Sequence, residues 1–216
     1  MPDRPFPLPG WFQFSLERYV GREPLWRFPP LPPTRNLVFE RLTFDNREVV
    51  LEMFERDGNP FVDRAFTSAD KLYEYVAHQW ICGPYSPKHG AADWIARTRQ
   101  QEPVGLLHVY DISRETWALN HRRCSIGYVV AESFRGGGLA QEAVGALQDH
   151  LFRTHDMLML LAMPSKANER SARFLASLGY EERTEDYCAK DKYRFFELYR
   201  NPEARLLMLE RISPST

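Results

Sequence analysis

Three consecutive glycines, Gly136, Gly137 and Gly138, follow Arg135 and precede a stretch with the apolar spacing of a helix. Glycines at a helix start let backbone N–H groups approach an anion closely, and the helix dipole adds a favourable positive end. The run therefore predicts a phosphate-binding loop, although the hexapeptide alone is equally compatible with a flexible loop. The amides concerned are those of Arg135, Gly136, Gly137, Gly138, Leu139 and Ala140.

Two familiar phosphate loops do not fit this run. A Walker A loop continues with Gly-Lys-[Ser/Thr], where this chain has Gly138-Leu139-Ala140 and no Lys to reach a β- or γ-phosphate. A dinucleotide site requires a third glycine, where this chain has Gln141, and it occupies the first strand-to-helix turn of its fold. A nucleoside triphosphatase and a dinucleotide-binding domain are both disfavoured.

A second polar turn, Asn168-Glu169-Arg170-Ser171, begins another helical stretch further along the chain. Asn168 is predicted to be the N-cap, because its side-chain oxygen can accept a hydrogen bond from a free amide of the first turn. The turn also follows an apolar strand, and α/β folds place ligands outside the carboxyl ends of their strands. Asn168 and Ser171 are therefore candidates for helix capping and for ligand contact.

Strands and helices alternate in the first half of the chain. The predicted bounds are Asn36–Leu42 for a strand, Arg47–Arg56 and Ser68–Ile81 for helices, Ala92–Thr98 with Val104–Ile112 for a hairpin, and Cys124–Val130 for a further strand. The composition of Pro84–Gly90 is that of a loop. The last three strands are expected to form an antiparallel meander.

The second half predicts a strand and helix crossover. A helix should run from Leu139 to about Thr154, since apolar residues recur on one face at four-residue spacing. Leu158–Met163 is apolar on both faces, which is typical of a strand covered by helices on each side. A helix from Asn168 to Gly179 and two closing strands, Tyr180–Arg183 and Tyr193–Tyr199, complete an α/β fold.

Composition limits the classes of partner. The chain has 216 residues, of which 44% are hydrophobic and 26% charged, as is typical of one globular domain. Its 28 Lys and Arg residues nearly balance its 29 Asp and Glu residues, which gives a formal net charge of −1. Neither a nucleic acid nor an anionic membrane is therefore expected as a partner.

The cysteines give no sign of a disulfide framework or of a metal site. Cys82, Cys124 and Cys188 are widely spaced and include no Cys-x-x-Cys pair, so we expect no bound metal and a reducing, cytoplasmic location. The opening MPDRPFPLPGWF has prolines where a signal peptide needs an uninterrupted apolar run. The longest apolar run, Met157–Met163, is too short to span a membrane.

A proline-rich arm precedes the predicted domain. Nine of the 16 prolines lie within residues 1–33, so we place residues 1–35 in an N-terminal arm and 36–200 in the domain. Residues 201–216 form a tail that we expect to contain a short helix. Because the arm is also rich in aromatic residues, we expect it to pack on its own domain or a second subunit, or to bind a partner that recognises polyproline.

Several ordered motifs together resemble one known family. They are Ile126-Gly127-Tyr128 on a strand, the glycine loop with its helix, the apolar strand, the Asn168 turn and the closing Leu178-Gly179-Tyr180. From about Leu37 to Tyr199 the chain resembles the acetyl-CoA-dependent N-acetyltransferases of the GNAT superfamily. It is most similar to the branch that includes the ribosomal-protein N-terminal acetyltransferases. The resemblance implies a mixed twisted sheet flanked by helices, with a parallel strand pair at the CoA site.

The resemblance also implies roles for individual residues. In such enzymes the amides from Arg135 to Ala140 hold the CoA pyrophosphate. Val129 and Val130 pair with the pantetheine arm and offer an N–H group to the thioester oxygen. Asn168 contacts the pantetheine arm, and the Ser171 hydroxyl protonates or hydrogen-bonds the departing thiolate, a role for which many relatives have Tyr in this helix. Acetyl-CoA is then the acyl donor, and no acyl-enzyme forms.

The general base and the acceptor follow less directly. His108 on the hairpin is the first candidate base and Asp111 the second, since a group must take a proton from the attacking amine. An aromatic-rich helix is expected to cover the acceptor site; its residues include Tyr73, Tyr75, His78 and Trp80. We expect a peptide N-terminus or a small amine as acceptor and a monomer or homodimer. A GNAT-like domain that binds acyl-CoA without turnover is the alternative from another class.

Overall fold

A computed structural model describes residues 30–82, 91–113, 123–155, 157–187 and 191–212 of the chain. Most of the predicted N-terminal arm, the predicted loop Pro84–Gly90 and the last four residues of the tail lie outside these ranges. The structure also does not describe the side chain of Cys82 or any part of Cys188. Among the described helices, none has the length and apolar content needed to cross a bilayer.

A seven-stranded mixed sheet forms the centre of the fold. The strands are β1 (Leu37–Arg41), β2 (Ala91–Thr98), β3 (Pro103–Ser113), β4 (Arg123–Val130), β5 (Met159–Ala162), β6 (Glu181–Glu182) and β7 (Phe196–Tyr199). Their spatial order is β1-β2-β3-β4-β5-β7-β6. β4 and β5 are parallel and every other neighbouring pair is antiparallel. The predicted α/β class, with a meander leading to a parallel pair, is confirmed.

Helices cover both faces of the sheet. They are α1 (Arg47–Phe54), α2 (Ala69–Cys82), α3 (Leu139–Arg153), α4 (Glu169–Ser177) and α5 (Pro202–Ile212). One core cluster joins α1 and α2 to the sheet around Ile95 and Leu106. A second joins α3 and α4 to the opposite side around Ile126 and Leu160. We call these sides the α1/α2 face and the α3/α4 face.

The parallel pair separates halfway along β4. Its register runs from Arg123 beside Met159 to Ile126 beside Ala162, where β5 ends. β4 continues to Val130 and remains paired with β3 on its other side. The edge of β4 from Gly127 to Val130 is therefore left without a neighbour among the described strands, and we call the space beside it the β4–β5 gap.

The closing strands are shorter than the sequence predicts. The expected strand Tyr180–Arg183 is reduced to β6, because the chain turns into a 3₁₀ helix at Thr184. The expected strand Tyr193–Tyr199 begins only at Phe196, since Tyr193 makes a single isolated bridge to Ser165. Alternating side chains favour extended backbone at these positions, but continuous pairing also needs an adjacent strand of equal length.

Candidate functional site

The glycine loop Arg135–Ala140 leads directly into α3. Gly136 and Gly138 have φ of 89° and 81°, a region that residues with a Cβ rarely adopt, and Gly138 is the residue that precedes the helix. A Cβ built on either glycine meets nothing within 4 Å, so the loop surrounds open, accessible space. The loop thus presents exposed backbone at the N-terminus of a 15-residue helix, which suits a bound anion such as the CoA pyrophosphate.

The Arg135 side chain faces away from this space. Its Nε donates to the Val130 carbonyl oxygen at 2.9 Å, and its Nη2 is paired with Asp57, whose side chain is only 2% exposed. Arg135 therefore ties the glycine loop to β4 and to the segment after α1. Its backbone amide donates to the Glu132 carbonyl oxygen at 3.2 Å and is therefore already engaged.

The hydrogen bonds between β4 and β3 identify which backbone groups of β4 face the gap. The Ala131 amide donates to the Val104 carbonyl of β3 at 2.9 Å, and a Cβ on Gly105 of β3 would collide with the Val129 carbonyl oxygen. Because backbone groups alternate sides along a strand, those of Val129 face β3 and those of Tyr128 and Val130 face the gap. Of the two valines predicted to contact pantetheine, only Val130 presents its backbone amide to the gap.

Two hydroxyl groups meet on the α3/α4 face of the gap. The Tyr128 hydroxyl lies 2.7 Å from Ser171 Oγ, and either atom can be the donor. Asn168 caps α4, since its Oδ1 accepts from the Ser171 amide at 3.1 Å, so the predicted cap is confirmed. Burial raises the pKa of Tyr128 to about 12, with the Ser171 hydrogen bond acting in the opposite direction. Both hydroxyls therefore carry their protons at neutral pH.

A buried carboxylate lies on the α1/α2 face. Asp93 of β2 is fully buried, and its Oδ1 contacts His108 Nδ1 on β3. Its Oδ2 accepts from the Tyr75 hydroxyl at 2.8 Å and from Gln79 Nε2, both on α2. The Tyr75 hydroxyl is also 2.8 Å from His108 Nδ1. We call these four residues the Asp93 cluster.

The imidazole of His108 spans the space between β2 and β4. Its Nδ1 faces Asp93, whereas a Cβ built on Gly127 of β4 would lie 3.7 Å from its Cδ2. Since Cδ2 is bonded to Nε2 in the ring, the Nε2 edge faces β4 beside the start of the gap. The ring stacks on Tyr110 at a centroid distance of 4.7 Å and its side chain is 20% exposed. His108 is thus fixed on one edge and accessible on the other.

Asp111 is less well placed for the same task. Its backbone has a φ of 51°, at an irregularity in the β3–β4 register, and its side chain accepts from Ser125 Oγ at 3.3 Å. Ser125 pairs with β5 at Leu161, so it lies before the gap opens. Asp111 is exposed on the same strand as His108 but further from the free edge of β4.

Cys124 is the cysteine whose side chain the structure describes. No group of three or more potential metal ligands occurs within the described ranges. Cys124 is buried, and burial raises the pKa of its thiol, which makes it a poor nucleophile.

Sequence reasoning missed four members of the site. The sequence motif gives Tyr128 no role of its own, whereas in the structure its hydroxyl contacts Ser171 and its backbone faces the β4–β5 gap. Asp93 was not singled out, although a lone acid in the apolar run AADWIA is a usable signal, because a buried carboxylate must have partners. Gln79 and Asp57 depend on contacts between distant segments and leave no local pattern.

Residues 36–181 match the acetyltransferase (GNAT) domain family. The matched segment includes the glycine loop, the β4–β5 gap and the Asp93 cluster. A search of curated protein sequences finds no match to this chain.

Solved structures with a similar fold include acetyltransferases of different acceptors. A ribosomal-protein-S5-alanine acetyltransferase from Vibrio fischeri has a TM-score of 0.62 and 15% identity, covering 79% of this chain and 97% of that one. A putative ribosomal-protein-serine acetyltransferase from Vibrio cholerae gives 0.61 and 17%, with coverage of 77% and 95%. A spermidine N-acetyltransferase chimera from Vibrio cholerae and hSSAT gives 0.61 and 13%, with coverage of 76% and 95%. At these identities the likeness is one of fold.

Proposed function

The chain belongs to the acetyltransferase (GNAT) domain family and is an N-acetyltransferase, and from this we propose that its acceptor is the α-amine of a peptide or protein N-terminus. The observation that carries the proposal is the β4–β5 gap. It has the glycine loop at one end, a hydroxyl pair on the α3/α4 face and, on the α1/α2 face, an imidazole fixed by Asp93. A thioester and an amine can therefore approach the same strand edge from opposite faces.

Acetyl-CoA is the acyl donor of this family, and we assign its binding to the loop and the gap. The amides from Gly136 to Ala140 hold the pyrophosphate at the start of α3, because the Arg135 amide already donates to the Glu132 carbonyl oxygen. The pantetheine arm adds to β4 like a strand and uses the amides of Tyr128 and Val130, one of which donates to the thioester oxygen. Asn168 contacts the arm through its Nδ2, because its Oδ1 already accepts from the Ser171 amide.

His108 accepts the proton that the amine loses, and Ser171 stabilises the departing thiolate with a hydrogen bond. The amine nitrogen attacks the thioester carbon, the new C–N bond forms, and the proton leaving nitrogen passes to Nε2 of His108. As the C–S bond breaks, the Ser171 hydroxyl donates to the departing thiolate, with Tyr128 as its hydrogen-bonding partner. Asp111 is the second candidate for the base.

The α-amine is favoured by its chemistry. Its unperturbed pKa of about 8 leaves a useful neutral fraction near pH 7, whereas a Lys side chain near about 10.4 is almost fully protonated. A single imidazole is therefore a sufficient base. The net charge of −1 also provides no strong attraction for a polycation such as spermidine. These arguments support an α-amine acceptor rather than a polyamine.

A thiol-release assay with acetyl-CoA tests the acceptor. The panel consists of peptides with a free α-amine, the same peptides with the α-amine blocked and an internal Lys retained, spermidine, and aminoglycosides. We expect turnover with free-α-amine peptides and mass-spectrometric localisation of acetyl to the N-terminal nitrogen. Preference for spermidine or an aminoglycoside would contradict the proposed acceptor. Acetyl-CoA binding without turnover on any amine would support the non-catalytic alternative.

A further inference from the structure

We propose that Asp93 is a positioning residue that keeps the imidazole hydrogen of His108 on Nδ1 and so leaves the Nε2 lone pair facing the β4–β5 gap. The inference deepens the proposed function and rests on His108 as the base. Asp93 itself touches neither substrate, since its side chain is fully buried beneath the sheet surface and α2.

The contacts of Asp93 identify the tautomer. Burial opposes ionisation, but the charge and hydrogen bonding of His108, with further help from Gln79 and Arg41, outweigh it and lower the pKa of Asp93. An ionised carboxylate only accepts hydrogen bonds, so the His108 Nδ1 that contacts it must be the donor. In the neutral ring the lone pair is then on Nε2. The same logic orients imidazoles in other carboxylate–histidine pairs.

Groups from each neighbouring element act on this pair. α2 contributes the Tyr75 hydroxyl and the Gln79 amide, and burial and then the charge of Asp93 raise the pKa of Tyr75, so it remains a neutral donor. β1 contributes the positive charge of Arg41, and β3 contributes Tyr110, which stacks on the imidazole. Asp63 raises the pKa of Tyr75 further, and Asp111 acts on Tyr110.

Substitution by Asn exposes the role without changing side-chain shape. Tyr75 and Gln79 both donate to Oδ2 of Asp93, so the amide oxygen of Asp93→Asn is stabilised at that position. The amide NH₂ then faces Nδ1 of His108, which must accept, and the imidazole hydrogen moves to Nε2. In a second variant, Asp93→Ala, the Tyr75 hydroxyl donates to Nδ1 and produces the same tautomer.

Nitrogen-15 NMR of the histidine rings tests the tautomer directly. Spectra are recorded on the full chain without substrates at a pH of about 8.5, where an ordinary imidazole is neutral. His108→Gln identifies the His108 signals among the six histidines. We expect the hydrogen on Nδ1 in the wild type and on Nε2 in Asp93→Asn and Asp93→Ala. Asp149→Asn, the same change at an exposed site on α3, should leave the His108 signals unchanged.

Kinetics supply the second arm. Asp93→Asn should lower kcat/KM for the acceptor by about 10²- to 10⁴-fold, while acetyl-CoA binding is retained. A wild-type Nε2–H tautomer, an unchanged tautomer in both variants, or wild-type activity in a folded Asp93→Asn would each overturn the proposal. If the tautomer changes as expected but the wild type acetylates no amine, the positioning role stands and the proposed function fails.

Discussion

Removal of the Ser171 hydroxyl should slow departure of the thiolate. In Ser171→Ala the backbone amide that Asn168 caps is retained, so α4 should keep its start. The Tyr128 hydroxyl loses the partner that lies 2.7 Å away. Because negative charge develops on sulfur only during the reaction, the lost interaction belongs to the transition state. kcat should therefore fall, while the KM for acetyl-CoA should change little.

The size of this effect follows from the energy of the hydrogen bond that is lost. A hydrogen bond to a charged group contributes about 1.5–3 kcal/mol, which at about 1.4 kcal/mol per factor of ten corresponds to a loss of roughly 10- to 10²-fold for Ser171→Ala. Tyr128→Phe removes only the neutral partner of Ser171, worth about 1 kcal/mol, so its loss should be about fivefold. The double variant should resemble Ser171→Ala, since both changes interrupt one chain of hydrogen bonds.

Single-turnover mixing of enzyme, acetyl-CoA and one good acceptor peptide isolates the chemical step from product release. Ser177→Ala is the matched control, because Ser177 lies on the same helix but donates to the Phe174 carbonyl at 2.7 Å, away from the gap. A loss of less than about threefold for Ser171→Ala would refute its role as the hydrogen-bond donor to the thiolate. If the loss in the double variant equals the product of the two single losses, Tyr128 and Ser171 act independently.

Two further changes test the site, and a third tests the contact between Glu142 of α3 and the residues before β1. Gly127→Ala should fit the fold, because its Cβ would lie 3.6 Å from the His108 Cβ, but it should lower kcat/KM for the acceptor by about tenfold or more with unchanged acetyl-CoA affinity by calorimetry. His108→Ala should cut the rate by about 10², and an unchanged rate would move the search to another base. Burial raises the pKa of Glu142, but hydrogen bonds from Thr34 and Asn36 outweigh it and lower that pKa below 4.5. Glu142→Ala should therefore lose about 1 kcal/mol of unfolding free energy at pH 7. This difference from the wild type should disappear as the pH falls through the lowered pKa of Glu142 and the carboxylate is protonated. Thermal melts at pH 7 and about pH 3 measure the difference.

The glycine loop and the order of elements could be predicted from sequence because their causes are local. Gly136 and Gly138 are needed for positive φ, and the apolar periodicity of α3 is a property of the helix itself. Asn168 caps α4 through a residue three positions away. Each of these features depends on a few neighbouring residues, so a single sequence is sufficient.

The polar contacts across the fold could not be predicted in the same way. Asp93 meets His108 only through the β2–β3 register, and both meet Tyr75 only because α2 packs on that face. Tyr128 and Ser171 are 43 residues apart in sequence. Such pairs depend on packing between elements, which no local pattern encodes. The register also assigns the gap-facing amides to Tyr128 and Val130, where sequence reasoning had given Val129 and Val130.

Calorimetric titration of acetyl-CoA tests most directly whether the glycine loop is the donor site. Gly138→Val places a branched side chain in the open space of the loop, and Gly179→Val, at a φ of 89° beyond α4, is the control for similar backbone strain elsewhere. Because each position has a positive φ, each variant should lose about 1–2 kcal/mol of unfolding free energy. The wild type and Gly179→Val should bind acetyl-CoA, and folded Gly138→Val should not. Wild-type affinity in folded Gly138→Val would contradict the central claim.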